Sequence, residues 1–421
     1  MRIYNSVTGQ EAIALCITAL LFVGQPFHGI AKVGFIALAV TGVFLLWRDK
    51  HLIHSVGIKQ FGVIVLLLGL PGLFSLCNSV SVGETIKFIL FVPVFFLAGV
   101  TVYSLLSNYK LLRILTIIIA VTSFAWIIDA IYQYYAGSDL LGNPLVGKVR
   151  VTGPFKNSHL GMLLVVTLPI TLKWLARVGW GSQIAYLLVL AFVLVIAGVR
   201  TDIVSFLMLI PLFYFFYIRT NRNRVLVAVC FVPLLVATCW IGISNSKLAK
   251  QKADQTLILF EEPTDFRNKL NVVLSGRVDI WQAGWNMFKA SPVTGIGAKS
   301  FGAAYDDYKP TEEEIQSPLL VEDGIHAHHV WISALAELGI IGVIGFASAV
   351  TLIIVLTIRS RCGFDLYTYP WMLSFLVIIN PFNTMPPIFK MWWVPIVLLV
   401  IVAQLIEIRR HEKIDENILE L

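Results

Sequence analysis

Charged side chains are scarce in this sequence. Asp, Glu, Lys and Arg make up 14% of its 421 residues, while hydrophobic residues make up 57%. Soluble globular proteins carry about 25% charged residues. With a mean hydropathy of +0.81, the chain has too few polar side chains to cover a soluble protein of this size. The composition therefore excludes the soluble globular class and predicts a protein that lies mostly in lipid.

Cysteine is also scarce, and the cysteines follow no pattern. The five residues are scattered, form no CxxC pair and fall in or beside apolar stretches. A disulfide framework or a thiolate metal site requires regularly spaced cysteines. We therefore expect buried small residues here and no such framework. The sequence also shows no internal repeat and no low-complexity linker.

Long apolar runs organise the chain instead. A helix of about 20 apolar residues crosses the roughly 30 Å hydrocarbon core of a bilayer. Such runs lie near residues 12–24, 31–47, 61–77, 88–106, 111–131, 160–176, 184–199, 203–218, 225–243, 330–358, 368–384 and 391–408. The sequence therefore predicts an all-α polytopic membrane protein with about twelve transmembrane helices.

Basic residues indicate the orientation of these helices. If the N-terminus is cytoplasmic, every cytoplasmic connection carries Lys or Arg, as the positive-inside rule requires. These residues are Arg48, Lys50, Lys59, Lys110, Arg113, Lys173, Arg177, Arg219, Arg222, Arg224, Arg359, Arg361, Arg409, Arg410 and Lys413. Topology and anionic lipid thus explain the net charge of +7, and nucleic acid is not an expected partner.

This orientation divides the chain into four parts. We predict an N-terminal membrane region of about nine helices (1–243), a large periplasmic loop (244–329), a C-terminal membrane region of about three helices (330–408) and a cytoplasmic tail (409–421). Both termini are then cytoplasmic.

The long loop contains an amphipathic segment of its own. In RVDIWQAGWNMFKA the apolar residues recur at helical spacing, and they are Ile280, Trp281, Gly284, Trp285 and Phe288. We expect a helix that lies against the membrane interface, where tryptophan is favoured.

Two arginines occupy unusual positions. Arg200, in GVRTD, lies between two apolar runs that almost no loop separates. Burying it in the bilayer would cost about 2.5–3.5 kcal/mol, so it is either an interfacial anchor or the binding group for an anion. Arg277, in LSGRVDIW, opens the amphipathic helix, where unpaired amides also favour an anion. The alternative for Arg277 is an ordinary solvated loop arginine.

Three histidines, His326, His328 and His329, lie where the long loop meets the next membrane segment. Histidine is suited to proton transfer near neutral pH. The spacings of two and one do not match the i, i+4 pair of a helical zinc site, so we expect no metal. A purely structural role for all three stays open. The following apolar residues place His328 at the exposed mouth of a helix.

Another basic group lies in the loop at 136–159, which the topology places outside. Lys148, Arg150 and Lys156 stand there in a stretch rich in Gly and Pro. They either bind an anionic head group or simply line the surface. In GIGAKSFG the glycines lack the spacing of a phosphate-binding loop, so a turn is predicted.

Three segments together resemble the O-antigen ligase and polymerase superfamily. They are GVRTD, SGRVDIWQAGWNMFKASPVTGIG and HHVWISALAELGIIG, in this order around a large loop, with VTGPFKNSHLG before them. The family pattern of His, a polar residue, nine residues and Gly falls on His328, His329 and Gly339. Val199 stands where the family usually has Ser or Thr before the first arginine. The resemblance covers roughly residues 151–345.

The resemblance implies a function and a fold. It implies a GT-C-type glycosyltransferase fold and, for a chain of this length, an O-antigen ligase in the bacterial inner membrane. Such an enzyme transfers a glycan from undecaprenyl pyrophosphate to a sugar hydroxyl of lipid A-core with inversion, without a cofactor. Arg200, Arg277 and His328 would be catalytic, and Lys148, Arg150, Lys156, His326 and His329 would contact the substrate. Oligomeric state is not indicated.

Two other functions are considered. An O-antigen polymerase would use the same donor and the same residues, but a lipid-linked repeat unit as acceptor. A polysaccharide flippase or transporter is less favoured, because transporters tend to have internal repeats and ionisable groups near the membrane midplane. Here the apolar runs are nearly free of charge, and the charged residues collect at one outer face.

Overall fold

The computed structural model describes residues 9–217, 224–260, 266–311, 325–360, 369–381 and 388–419. Within these ranges the chain forms sixteen α-helices and two isolated β-bridges. The helices are α1 (Gly9–Val23), α2 (His28–Arg48), α3 (Val56–Ser75), α4 (Val82–Leu106), α5 (Tyr109–Ala136), α6 (Leu160–Leu175), α7 (Trp180–Ala197), α8 (Arg200–Tyr217), α9 (Arg224–Asn245), α10 (Lys247–Leu257), α11 (Phe266–Val273), α12 (Arg277–Ala290), α13 (Phe301–Tyr308), α14 (Val330–Arg359), α15 (Tyr369–Ile379) and α16 (Val394–Leu419). Arg219, Arg222 and Arg361 lie outside the described residues.

Each apolar run predicted from the sequence coincides with a helix, namely α1 to α9 and α14 to α16. Six segments in the described ranges are long and apolar enough to cross a membrane: Gly29–Arg48, Val56–Asn78, Val82–Leu106, Tyr109–Ala136, Trp180–Ala197 and Val330–Arg359. A bent pair, Phe231–Asn245 and Lys247–Phe260, makes a seventh if it is one span. The chain is thus an all-helical, multi-pass membrane protein. Twelve spans and a GT-C-type fold remain predictions.

Helix α6 lies at the centre of the bundle. All its residues from Leu160 to Lys173 are buried, because α5, α7, α8 and α15 pack around it. Hydroxyl groups satisfy polar atoms between these helices: Thr167 Oγ1 lies 3.0 Å from Ser123 Oγ, and Ser374 Oγ donates to the Val166 carbonyl at 2.6 Å. Since α6 directly follows the loop that carries Arg150, this packing fixes the end of that loop.

The helices of the long loop form a second, smaller core. In α12, Ile280, Ala283 and Met287 are buried in this core, which also takes in residues of α13 and the first turns of α14. Gly284 permits the close approach of α12 to α14, because a Cβ there would lie 2.7 Å from Cγ2 of Ile332. Trp285 is 48% exposed and belongs to neither core. Its contact with a membrane interface stays a prediction.

Helix α14 is interrupted at Gly339, whose φ of +62° and ψ of −158° are not helical. Backbone groups at the break lack their helical hydrogen bonds, and the loop at residues 292–297 forms hydrogen bonds with them. The amides of Ile296 and Gly297 donate to the carbonyls of Ala336 and Glu337 at 3.1 Å each. The amides of Ile340 and Ile341 donate to the carbonyls of Pro292 and Val293 at 2.9 and 3.3 Å. We call this four-bond contact the seam; it joins the end of α12 to α14.

Glycine is required at the seam on both sides. A Cβ at Gly339 would lie 2.5 Å from the Val293 carbonyl oxygen, and one at Gly295 would lie 2.3 Å from the Glu337 carbonyl carbon. Both residues also have positive φ, which side chains other than that of glycine rarely adopt. The turn predicted for GIGAKSFG is present, and Gly295 and Gly297 bring its backbone against that of Glu337.

Candidate active site

Arg277 is the first residue of α12, as the sequence predicts. The turn before it uses left-handed backbone at Ser275 (φ +55°) and Gly276 (φ +81°). The Asn271 side chain then caps the helix by accepting from the Val278 amide at 3.1 Å. This tight turn holds Arg277 at the helix N-terminus, where the positive end of the helix dipole favours an anion. Its guanidinium makes no hydrogen bond or ion pair with any residue in the described ranges.

Arg200 is the first residue of α8. Helix α7 ends at Ala197, Gly198 follows with a φ of +68°, and the chain turns at once into α8. A Cβ at Gly198 would lie 2.7 Å from Leu248 Cδ2, so α10 packs closely on this turn. From α10, Gln255 Oε1 accepts from Arg200 Nη2 at 2.8 Å, and Thr256 Oγ1 accepts from Nη1 at 3.5 Å. These bonds fix the guanidinium and leave part of it free for a ligand.

Arg150 is held by a loop that the buried Gln133 organises. Gln133 Oε1 accepts from the amides of Thr152 and Gly153 at 2.8 and 2.9 Å. Asp129 accepts from the Leu140 amide at 2.7 Å and ties down the start of the same loop. The Arg150 guanidinium makes no hydrogen bond or ion pair in the part of the chain that the structure describes. Burial lowers the pKa of Arg150, and the nearby Asp202 carboxylate opposes that change.

These three arginines converge on one charged cluster. Burial lowers the pKa of Arg277 to about 10, attraction to Asp202 raises it, and repulsion from Arg200 and Arg150 lowers it further. The same three arginines also repel Lys252 of α10, whose ammonium donates to Gln255 Oε1 at 3.3 Å. Four cations therefore lie near one another here, and Asp202 attracts two of them, Arg277 and Arg150; we call Arg150, Arg200, Lys252 and Arg277 the basic cluster.

Asp202 lies beside this cluster, in the first turn of α8. It is 1% exposed, and neither carboxylate oxygen has a hydrogen-bond partner in the described ranges. A Cβ at Gly161 would lie 2.3 Å from Asp202 Oδ2, so only glycine at 161 leaves room for this side chain. A buried carboxylate without a hydrogen bond is costly. The positive charges of Arg277 and Arg150 therefore stabilise it, while it reduces the repulsion between them.

His328 faces the same cluster from the start of α14. Its φ of +48° is in the left-handed region, a strain of order 1–3 kcal/mol that surrounding contacts must hold. Trp281, one turn after Arg277, supplies one such contact, since its Nε1 donates to the Ala327 carbonyl at 3.0 Å. The ring of His328 lies 3.9 Å from that of His326, centroid to centroid. No residue in the described part hydrogen-bonds the His328 imidazole.

The protonation state of His328 follows from its surroundings. Burial, then the neighbouring His326, Arg277 and Lys390, lowers the pKa of His328 to about 3. The imidazole is therefore neutral at neutral pH, the form that accepts a proton. Arg277 acts electrostatically on both His328 and Arg200, so the three residues predicted to be catalytic share one site.

His329 caps α14. Its Nδ1 accepts from the Ile332 amide at 3.3 Å, and its Nε2 donates to the Pro381 carbonyl at 2.7 Å. Burial lowers the pKa of His329, so the neutral ring that this pattern requires is favoured. Both nitrogens are used within the protein. The contact of His329 with substrate stays a prediction, and the structure adds a capping role.

Lys148 and Lys156 differ from Arg150, although the sequence groups them. Both are exposed, and neither is among the charges that act on Arg277 or His328. Their contact with a substrate head group also stays a prediction.

Several residues of the site were not selected from the sequence. Asp202 belongs to the GVRTD motif, and an acidic residue two positions after Arg200 could have indicated a role in the site. Gln255 and Lys252 carry no such signal, because only the packing of α10 on the turn at Gly198 brings them to Arg200. The described residues contain no group of three or more His, Cys, Asp or Glu placed to hold a metal ion.

The arrangement can bind a polyanion beside a neutral base. Arginine forms bidentate, charge-assisted bonds to phosphate oxygens. The unpaired guanidiniums of Arg150 and Arg277 are free to do so. A hydroxyl placed between such an anion and His328 could lose its proton to the imidazole.

Comparison with known proteins agrees with this chemistry. Residues 185–347 match the family model described as O-antigen ligase, a stretch that contains Arg200, Arg277 and His328. No curated protein matches the chain. Members of this family are glycosyltransferase-like ligases or polymerases of the bacterial inner membrane that act on lipid-linked glycans. Over residues 185–347 this chain therefore matches the O-antigen ligase family, and the resemblance to the O-antigen ligase and polymerase superfamily is confirmed.

Proposed function

We propose that the protein is an O-antigen ligase. It transfers a glycan from undecaprenyl pyrophosphate to a sugar hydroxyl of lipid A-core, on the periplasmic side of the inner membrane, without a metal or other cofactor. The observation that carries the proposal is the convergence of Arg150, Arg200 and Arg277 on one site beside the neutral imidazole of His328.

The basic cluster serves the leaving group. The periplasm holds no ATP, so the glycosyl–pyrophosphate bond of the donor must supply the driving force. As the bond from the anomeric carbon to the phosphate oxygen breaks, its electron pair stays on undecaprenyl pyrophosphate. Arg277 and Arg200 bind the developing charge, and one oriented donor of this kind contributes about 10²–10³ in rate.

The lipid chain of the donor also has a place to lie. An apolar groove of about 330 Å³ runs between α7, α8 and α9 and is lined by residues such as Leu194, Ile203 and Trp240. Ile203 is one helical turn from Arg200. A lipid bound here would carry its pyrophosphate to the basic cluster.

His328 is the general base. The acceptor oxygen attacks the anomeric carbon from the side opposite the pyrophosphate, which inverts the configuration at that carbon. As it attacks, its O–H bond breaks and the proton passes to the imidazole. General-base catalysis contributes about 10²–10⁴ in rate. Burial, His326, Arg277 and Lys390 lower the pKa of His328 in that order, so a bound pyrophosphate that offsets the two cations makes the base stronger. Activation of the acceptor is thereby coupled to the presence of the donor.

A reconstitution experiment tests this function. Purified protein, a lipid-linked glycan and lipid A-core should form the conjugate without ATP or added metal, which gel electrophoresis of the lipopolysaccharide detects. Absence of product with verified substrates would refute the ligase assignment.

Gene deletion separates a ligase from a polymerase. Loss of a ligase leaves unmodified lipid A-core and accumulated lipid-linked polymer. Loss of a polymerase leaves cores that carry one repeat unit, and that pattern would assign the same residues to polymerisation instead.

A further inference from the structure

A second cavity lies beside the histidines. It has a volume of about 660 Å³, within the ordinary range for ligand sites. Apolar side chains of α3, α4, α14 and the segment before α16 form most of its wall, among them Leu68, Phe88, Phe346 and Phe389. His326 lines the cavity, whereas none of the arginines of the basic cluster does. The cavity is thus distinct from the basic cluster but reaches the ring of His326, which lies against that of His328.

Three lysines from distant parts of the chain line this apolar cavity: Lys32, Lys299 and Lys390. None of their ammonium groups makes a hydrogen bond or ion pair with a residue in the described ranges. Two carboxylates, Glu84 and Glu337, also line the cavity and attract Lys299, and each has a further hydrogen-bond donor. Glu84 accepts from Lys87, and Glu337 accepts from the Phe301 amide at 3.2 Å. The cavity is therefore mostly apolar, and its lining holds three lysines against two carboxylates, which leaves an excess of positive charge.

The loop that carries Lys299 is built to point into this cavity. Lys299 has a φ of +61°, in the left-handed region that a lysine rarely adopts. The Glu337 carboxylate and the seam hold the loop on either side of it. Burial lowers the pKa of Lys299, so a bound anion would offset a cost already present. Nearby, Ser333 Oγ lines the cavity, is buried and has no hydrogen-bond partner in the described part of the chain.

We propose that this cavity binds the acceptor, as an anionic amphiphile whose phosphate lies at Lys32, Lys299 and Lys390 and whose apolar part lies against the wall. The proposal rests on the proposed function and deepens it, because it predicts that the enzyme prefers a phosphorylated acceptor lipid. Two lipid substrates must reach one base from separate sites. The arginines suit the pyrophosphate of the donor, since they bind phosphate bidentately. Lysines act as point charges and suit phosphates without a fixed orientation.

Steady-state kinetics test the proposal. We would replace Lys32 and Lys299 by alanine, singly and together, because neither acts on His328, and vary phosphorylated lipid A-core at saturating donor. Losing one charge-assisted contact should raise the acceptor KM by about tenfold, with kcat and the donor KM changed by less than about threefold. Lys289→Ala is the matched control, because Lys289 is exposed on the same long loop and does not line the cavity. Thermal melting in detergent checks that each variant is folded.

Chemical removal of the acceptor phosphates completes the test. Dephosphorylated lipid A-core should show a raised KM with the wild-type protein, and the lysine variants should no longer distinguish the two acceptors. If the variants raise the donor KM instead, the cavity belongs to the donor. If they lower only kcat, or if the wild-type protein ignores the phosphates, the proposal is refuted.

A binding measurement separates this proposal from the proposed function. Microscale thermophoresis with lipid A, with dephosphorylated lipid A and with undecaprenyl phosphate requires no catalysis. Tight binding of lipid A that needs its phosphates and both lysines supports the acceptor site, even for a protein that transfers nothing. Equal binding of the dephosphorylated lipid, or displacement of lipid A by undecaprenyl phosphate, overturns it.

Discussion

Replacing Arg277 with alanine should remove activity without weakening the fold. The side chain makes no hydrogen bond or ion pair in the described residues, and the surrounding charges, apart from Asp202, repel it. The lowering of its pKa from 12.5 to about 10 corresponds to a cost of about 3 kcal/mol for a charged guanidinium in the folded protein. Alanine removes that cost. It also removes a cation that stabilises the buried Asp202 carboxylate, which opposes this gain, so we expect a melting temperature close to that of the wild-type protein.

The catalytic loss should be large. One oriented donor to a developing oxyanion contributes about 2.7–4 kcal/mol, so kcat/KM for the donor should fall by about 10²–10³. Arg277→Lys keeps the charge but not the planar fork, and it should recover only part of this loss. The assay is conjugate formation with purified protein at subsaturating donor, normalised to the folded fraction from a thermal melt.

Arg267→Ala is the contrasting control. Arg267 lies in the same loop and pairs with the buried Asp279 at 3.5 Å. Its removal should destabilise the protein by up to about 1 kcal/mol, because the half-exposed pair is lost while Asp279 keeps the bond from Asn271, and the folded fraction stays active. The reasoning fails if Arg277→Ala keeps more than a tenth of the activity. It also fails if the activity lost merely follows the unfolded fraction.

Three further predictions concern the other parts of the site. His328→Gln should lower kcat by about 10²–10⁴. Because the pKa of His328 is lowered to about 3, the kcat/KM of the wild-type protein should stay level from pH 8 down to pH 5. A fall centred near the ordinary histidine pKa of about 6.5 would contradict this. Trp281→Phe removes the donor to the Ala327 carbonyl, so kcat should fall by about two- to tenfold while the donor KM stays unchanged, and an unaltered kcat would count against this positioning role. Gly339→Ala should lower the melting temperature or prevent folding, since a Cβ would lie 2.5 Å from the Val293 carbonyl oxygen; a wild-type melt would show that the seam can rearrange.

The sequence predicts the helices of this protein well, because apolar runs in lipid can only become helices or closed barrels. It also selects Arg200, Arg277 and His328, since an arginine or histidine at the edge of an apolar run is unusual enough to notice. Gly339 belongs to the same motif as His328, but only the seam shows why glycine is required there: two backbone segments approach too closely for a Cβ.

The rest of the site depends on contacts that no local pattern encodes. Lys390 acts on His328 across more than sixty residues of chain, and Gln255 reaches Arg200 because α10 packs on Gly198. His329 looks like its neighbours in the sequence, yet its carbonyl partner at Pro381 lies on a different segment. The sequence gives the charge and type of such residues, but it does not give their contacts in the fold.

The seam has a consequence for how related chains can vary. It joins residues 292–297 to residues 336–341 by four backbone bonds, so it needs no particular side chain except glycine where space is lacking. One helix and one turn separate it from Arg277, and three turns separate it from His328. The distance between the Arg277 guanidinium and the His328 imidazole therefore depends on two short segments, one joining each residue to the seam. We expect insertions and deletions to accumulate between residues 309 and 325, while the spacings 277–295 and 328–339 keep their length.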